Sequence, residues 1–138
     1  MDQAMEHWSD EFDPGQWDDD DGLSYTRPGC SPELLQKLRR GQWQAQAHLD
    51  LHGMQRDQAR TSLADFLRRA RTARLRCVCI IHGKGLSSVT PPVLPGKVRS
   101  WLSQSELVTA FCQAGPSAGG EGALLVLIET SGTERPAP

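Results

Sequence analysis

The chain has 138 residues, 38% apolar and 23% charged, which suits one folded domain of about 100–150 residues with some chain to spare. No apolar run approaches the roughly 18 residues that a membrane helix needs, and the acidic start lacks the pattern of a secretory leader, so neither membrane insertion nor export is expected. The net charge of −2 conceals a split: residues 1–21 hold nine acids and no Lys or Arg, while residues 22–138 hold all 15 Lys and Arg, a body of +7 beside a tail of −9. A basic body of this kind points to a polyanion partner, with plain solubility as the alternative. Cys30, Cys77, Cys79 and Cys112 form no C-x-x-C pair, which argues against a zinc finger or a disulfide scaffold and for a reduced, cytoplasmic protein.

Residues 1–24 read as a disordered acidic extension, because like charges repel and little apolar surface is present to offset ordering. Met5, Trp8, Phe12 and Trp17 are its apolar islands, and the aromatic ones are the natural anchors on a partner. Residues 25–44 form a lead-in with one short helix: Ser31 caps it, Pro32 suits its first position, Leu34, Leu35 and Leu38 make its stripe, and Gly41 stops it. A helix this short must dock on something. The folded domain is expected over residues 45–130, followed by a disordered tail over 131–138.

Within that domain, residues 47–52 alternate as a strand and Gly53 ends them. Ala59, Leu63, Phe66, Leu67 and Ala70 give an amphipathic helix over about 55–72. Residues 75–81 read as a buried strand, 83–95 as a loop and 95–104 as a second helix. Residues 107–113 and 122–129 read as two further strands, joined by a short glycine-rich loop and hence antiparallel. The order β-α-β-α-β-β predicts an α/β two-layer sandwich: a mixed four-stranded sheet with two helices mainly on one face. Helix-linked strands are expected to pair in parallel, and the opposite face to stay partly open.

Strand alternation puts Leu49 and Leu51 on one face and His48, Asp50 and His52 on the other. The apolar pair should face the helices, since a buried, unpaired carboxylate is costly. His52 and His82 each follow a strand and each precede a glycine. If those strands are parallel neighbours, both imidazoles reach the carboxyl edge of the sheet, where open α/β folds place their ligand sites. Gly83, Lys84 and Gly85 would let backbone amides and one ammonium approach a phosphate, although the Walker spacing is absent. Each feature alone has a plain structural reading, and their conjunction points to chemistry. No metal site is expected: His48 sits at a different depth from Asp50, His52 and His82. Cys77 and Cys79 share one sheet face and read as packing. Arg56, Arg60, Arg68, Arg69, Arg71, Arg74 and Arg76 make the first domain helix and its exit basic, either as a solvated face or as a nucleic-acid contact.

Leu49-Asp50-Leu51-His52-Gly53, Ile81-His82-Gly83-Lys84-Gly85 and Gly119-Gly120-Glu121-Gly122-Ala123 resemble the three signature blocks of the Smr (small MutS-related) domain. Tyr25 to Pro32 and Leu38 to Trp43 resemble the lead-in of stand-alone bacterial members. One departure is Pro95, where members commonly carry Lys or another non-proline residue. The resemblance implies an α/β sandwich that nicks or cleaves DNA or RNA, and for stand-alone members an endonuclease acting on messenger RNA at collided ribosomes. It places Asp50, His52 and His82 in the catalytic motifs. Gly83, Lys84 and Gly85, with Arg56, Arg60 and Lys97 from the two domain helices, are read as nucleic-acid and phosphate contacts.

The expected function is therefore a ribosome-associated RNA endonuclease. A DNA-nicking enzyme of repair or recombination and a non-catalytic nucleic-acid adaptor stand as alternatives. No cofactor is expected, with a divalent metal ion kept open. The expected partners are RNA or DNA and the ribosome, not a membrane or a small-molecule ligand.

Overall fold

The computed structural model describes residue 8 and residues 24–83, 94–115 and 122–129. Its elements are β1 (Tyr25–Thr26), α1 (Pro32–Arg39), β2 (His48–Asp50), α2 (Arg56–Thr72), β3 (Cys77–Ile81), α3 (Leu94–Gln104), β4 (Val108–Gln113) and β5 (Ala123–Ile128). The α/β class and each domain element match the sequence reading to within two residues at either end, β2 stopping at Asp50. Among the described residues, no helix is long and apolar enough to cross a membrane.

The helices begin and end as their residues dictate. Ser31 Oγ accepts from the Glu33 amide at 3.1 Å, and Pro32 fills the first turn of α1. Gly41 at φ +85° closes the helix: its amide donates to the Leu38 carbonyl, and that of Gln42 to the Lys37 carbonyl. This is the double bond of a Schellman end. The same pattern ends α2, with Arg74 and Leu75 donating to the Arg71 and Ala70 carbonyls. Here Arg74 takes the left-handed position at φ 64°.

Two features of the sheet correct the expectation. It has five strands, in the order β1-β4-β5-β3-β2. β5 lies between β3 and β4 and runs antiparallel to both, so β3 and β4 are not paired neighbours. The reason lies in Ala-Leu-Leu-Val-Leu-Ile: five of its six residues are buried, and a strand apolar on both faces belongs inside a sheet. The additional strand is β1, which pairs antiparallel with β4 and stacks Tyr25 on Phe111 at 5.4 Å. The parallel pairing of β2 with β3 is as expected, with His48 opposite Cys79 and Asp50 opposite Ile81.

One sheet face carries Val78, Ile80, Phe111, Val126 and Ile128, and packs against Ala59, Leu63 and Leu67 of α2 and Val98, Trp101 and Leu102 of α3. The other face is less open than expected. Leu35 and Leu38 of α1 cover Cys77, Ala110, Cys112 and Leu127 there. The dock for the short helix is the domain itself. All four cysteines are free thiols. Burial pushes the Cys77 thiol up to about 11, in keeping with a packing role.

The picture of residues 1–24 as wholly disordered is corrected at Trp8. Its side chain belongs to the main core, 4% exposed, stacked on Trp101 with ring centroids 6.1 Å apart. Arg60 donates to the Trp8 carbonyl. One indole buries enough apolar area to dock even when its neighbours in sequence are acidic. Phe12 and Trp17 lie outside the described residues. Trp8→Ala is expected to lower the unfolding free energy by about 3 kcal/mol, as for other buried large-to-small changes. Urea denaturation measures this, and an unchanged midpoint would contradict the docking.

Candidate active site

The site grows from the end of β2. Leu51 is fully buried and anchors the strand, while its neighbours Asp50 and His52 stand exposed. The Leu51 amide donates to the Ile81 carbonyl at 2.7 Å, extending the parallel ladder one step beyond the strand. Gly53, at φ +80°, then turns the chain toward α2.

Asp50 closes on the residue two ahead of it. Its Oδ1 accepts from the His52 backbone amide at 3.0 Å and lies 2.6 Å from His52 Nδ1. A carboxylate only accepts, so Nδ1 carries the proton of that contact. In the neutral ring, Nε2 then holds the lone pair. The His52 side chain is 68% exposed, which leaves the ring open to a ligand. The hydrogen bond from the His52 ring, followed by that from its amide, holds the Asp50 carboxyl below its ordinary value. The carboxylate therefore stays ionised at neutral pH and keeps its grip on the ring.

The second block meets the first through backbone. Gly83 has φ +84°, and a Cβ built on it would lie 3.1 Å from His52 Cβ. Only glycine satisfies both the left-handed conformation and this approach. The third block joins through Gly122, whose carbonyl accepts from the His82 amide at 2.9 Å and the Gly83 amide at 3.1 Å. The three blocks thus converge on one edge of the sheet. The Gly83 amide, expected to face a phosphate, is already engaged there.

His82 differs from His52. It is 5% exposed, and its Nδ1 lies 2.7 Å from the Gly83 carbonyl, to which it donates. Burial pushes its pKa below the ordinary histidine value, with Arg99 adding to the shift and the Gly83 bond opposing it. Lys84 and Gly85 lie outside the described residues, as do Gly119, Gly120 and Glu121.

The basic residues are less bare than their number suggests. Arg60 is half-buried and engaged with Trp8, and Arg68 and Arg69 pair with Asp65 at 2.7 and 3.0 Å. Arg76 lies over the Trp43 ring at 5.4 Å. Arg56 is exposed in the first turn of α2, and Lys97 is half-buried in α3. Among the described residues, no group of three or more His, Cys, Asp or Glu could hold a metal ion. Sequence reasoning missed Gly122 as the joint of the blocks and Arg60 as the partner of Trp8. The glycine-rich third block signalled the first, and nothing local signalled the second.

An α/β domain with helices on both faces of its sheet, in place of the two layers expected, and an Asp–His pair at the carboxyl edge of parallel strands, closed by glycine turns, defines a class. The Smr domain profile matches residues 49–129, and the chain belongs to the Smr domain family. It is 38% identical over 127 residues to ribosome rescue factor SmrB of Tolumonas auensis, covering 92% of this chain and 70% of that one. It is 40% identical over 125 residues to the SmrB of Pectobacterium atrosepticum, covering 91% and 66%. The chain thus spans about two thirds of the length of these relatives. Among solved structures it resembles YdaL, a stand-alone small MutS-related protein from Escherichia coli, with a TM-score of 0.69 and 34% identity over 78% of this chain and 83% of that one. The Smr domain of Thermus thermophilus MutS2 aligns with a TM-score of 0.55 and 28% identity, covering 60% of this chain and 98% of that one.

Gly83→Ala is expected to cost about 1–3 kcal/mol, combining left-handed strain with the approach to His52. Thermal melting reads this loss. A variant as stable as the parent would show that the two turns do not press on one another.

Proposed function

We propose that this protein is an RNA endonuclease that acts on messenger RNA at stalled ribosomes, with the Asp50–His52 pair as its reacting centre. The observation that carries this reading is the 2.6 Å contact between Asp50 Oδ1 and His52 Nδ1, with the ring exposed where three sequence blocks converge. The relatives named ribosome rescue factors support the setting. The basic body supports a polyanionic substrate.

The chemistry is a phosphodiester transfer within RNA. His52, through Nε2, takes the proton from a 2′-hydroxyl, whose oxygen attacks the adjacent phosphorus. Asp50 holds the ring in the required tautomer and stabilises the imidazolium that forms. The bond from phosphorus to the 5′ oxygen breaks, and that oxygen takes up a proton. The products are a 2′,3′-cyclic phosphate and a 5′-hydroxyl. For the donor of that last proton the sequence offers His82 and Lys84. Arg56, Arg60 and Lys97, with Lys84 and Gly85, remain the proposed contacts to the nucleic acid, although Arg60 is engaged with Trp8 and Arg56 lies 3.4 Å from Asp57; Gly83, whose amide is held by the Gly122 carbonyl, serves the turn instead. The route calls for no cofactor, and it belongs to the cytoplasm.

The experiment compares labelled RNA, the same sequence as DNA, and RNA carrying one 2′-deoxy nucleotide at the cut, each with and without EDTA. The reading predicts that only all-ribose RNA is cut at that position, that EDTA changes little, and that the 5′ fragment ends in a cyclic phosphate. Cleavage of the DNA, lost in EDTA, would replace this reading with the nicking alternative. Binding without cleavage of any of them would replace it with the adaptor.

A further inference from the structure

We propose that His82 is a positioning residue and carries no proton in the cleavage proposed above, on which this assignment rests. Its imidazole ties down the Gly83 carbonyl and so holds the turn against which His52 is seated.

The chain of contacts is continuous. The His82 amide is held by the Gly122 carbonyl at 2.9 Å, which places the residue at the end of the β3 ladder. Its ring folds forward, and Nδ1 donates to the next residue's carbonyl at 2.7 Å. That bond, together with the hold of the Gly122 carbonyl on the Gly83 amide, fixes the turn in which Gly83 takes φ +84°. Gly83 in turn packs against His52: the site its Cβ would occupy lies 3.1 Å from His52 Cβ and 3.8 Å from His52 Cα. The His52 ring is thus located from two sides, by Asp50 at Nδ1 and by Gly83 at Cβ.

The surroundings of His82 fit this role better than proton transfer. A proton carrier must take up charge during the cycle and meet the substrate. His82 is 5% exposed, against 68% for the side chain of His52. Burial disfavours its charged form, the Gly83 bond works against this, and the charge of Arg99 of α3 adds to it. Its Nδ1 is bound to the neighbouring Gly83 carbonyl, so the bond it makes serves the turn itself.

Geometry also supplies the test. The amide nitrogen of asparagine sits where histidine carries Nδ1, so His82→Asn keeps a donor for the Gly83 carbonyl and cannot titrate. His82→Gln places its amide one bond further out, and His82→Ala removes the donor. Cleavage of RNA is followed from pH 5 to 9 for the full chain and the three variants, with melting alongside. His82→Asn is expected to keep kcat within about fivefold of the parent and the same pH profile. His82→Gln and His82→Ala are expected to lose about 10- to 100-fold in kcat, again without change in the shape of the profile. A well-folded His82→Asn as inactive as His82→Ala, or one that loses a limb of the profile, overturns the proposal, as does an unaffected His82→Ala.

A second readout needs no cleavage. The ring nitrogens of His52 are observed by 15N-resolved NMR, where the proton shared with Asp50 marks the Nδ1–H form. Its signal is expected to persist in His82→Asn and to broaden or shift in His82→Ala. If the parent protein cuts no RNA, the proposed function fails while this readout still decides whether His82 positions His52.

Discussion

The close approach of Gly83 to His52 is the constraint on which the rest of the site depends. Two strand ends that share a parallel ladder diverge into loops just beyond it, and nothing in a ladder keeps the loops together. Here a left-handed glycine without a side chain lets one loop lie directly against the other, at the 3.1 Å separation that a Cβ would have from His52 Cβ. The ladder makes this possible by setting Asp50 opposite Ile81, so that His52 and Gly83 leave the sheet side by side. β2 has only three residues and sits at the sheet edge, so its placement comes from burial rather than from length. Leu51, fully buried in the main core, supplies it.

Charge is arranged to serve the same point. Asp50 spends both of its described hydrogen bonds on His52, one on its amide and one on its ring. The pairing depresses the Asp50 pKa, so the pair holds across neutral pH and loosens only as acid protonates the carboxyl. His82 is kept neutral by the opposite means, withdrawal from water. Two histidines one strand apart are thus made unlike by their surroundings. Elsewhere the basic residues are partly spent inside the fold, on Asp65, on Trp43 and on the carbonyl of Trp8. A count of Lys and Arg therefore overstates the charge that the domain presents to a polyanion.

Much of this was legible in the residues. Alternation over residues 47–52 separated Leu49 and Leu51 from Asp50 and His52, because a half-buried edge strand has to alternate. The glycines after His52 and His82 announced turns at the sheet edge, and the family resemblance gave those turns a chemistry. What was not legible depended on long-range competition. The inward place of β5 follows from which strand gains most from having two neighbours, which no local pattern records. β1 is two residues long and has no period to read; its existence rests on Tyr25 meeting Phe111 and on Arg27 reaching Glu129 at 2.8 Å. Trp8 was hidden by its acidic neighbours, since composition averages over a window and a single indole does not. The difference between His52 and His82 was also hidden, because burial is a property of the folded chain and the two motifs look alike as text.

The central claim is that His52, seated by Asp50 and Gly83, is the group that moves the proton. The most direct measurement is the single-turnover rate of RNA cleavage by His52→Ala at saturating protein, taken beside its melting temperature. The account predicts a loss of about 100-fold or more, in the range that general acid–base groups contribute. It also predicts melting close to that of the parent, since an exposed side chain is removed and no core contact is lost. Cleavage at the parental rate by a folded His52→Ala would contradict it.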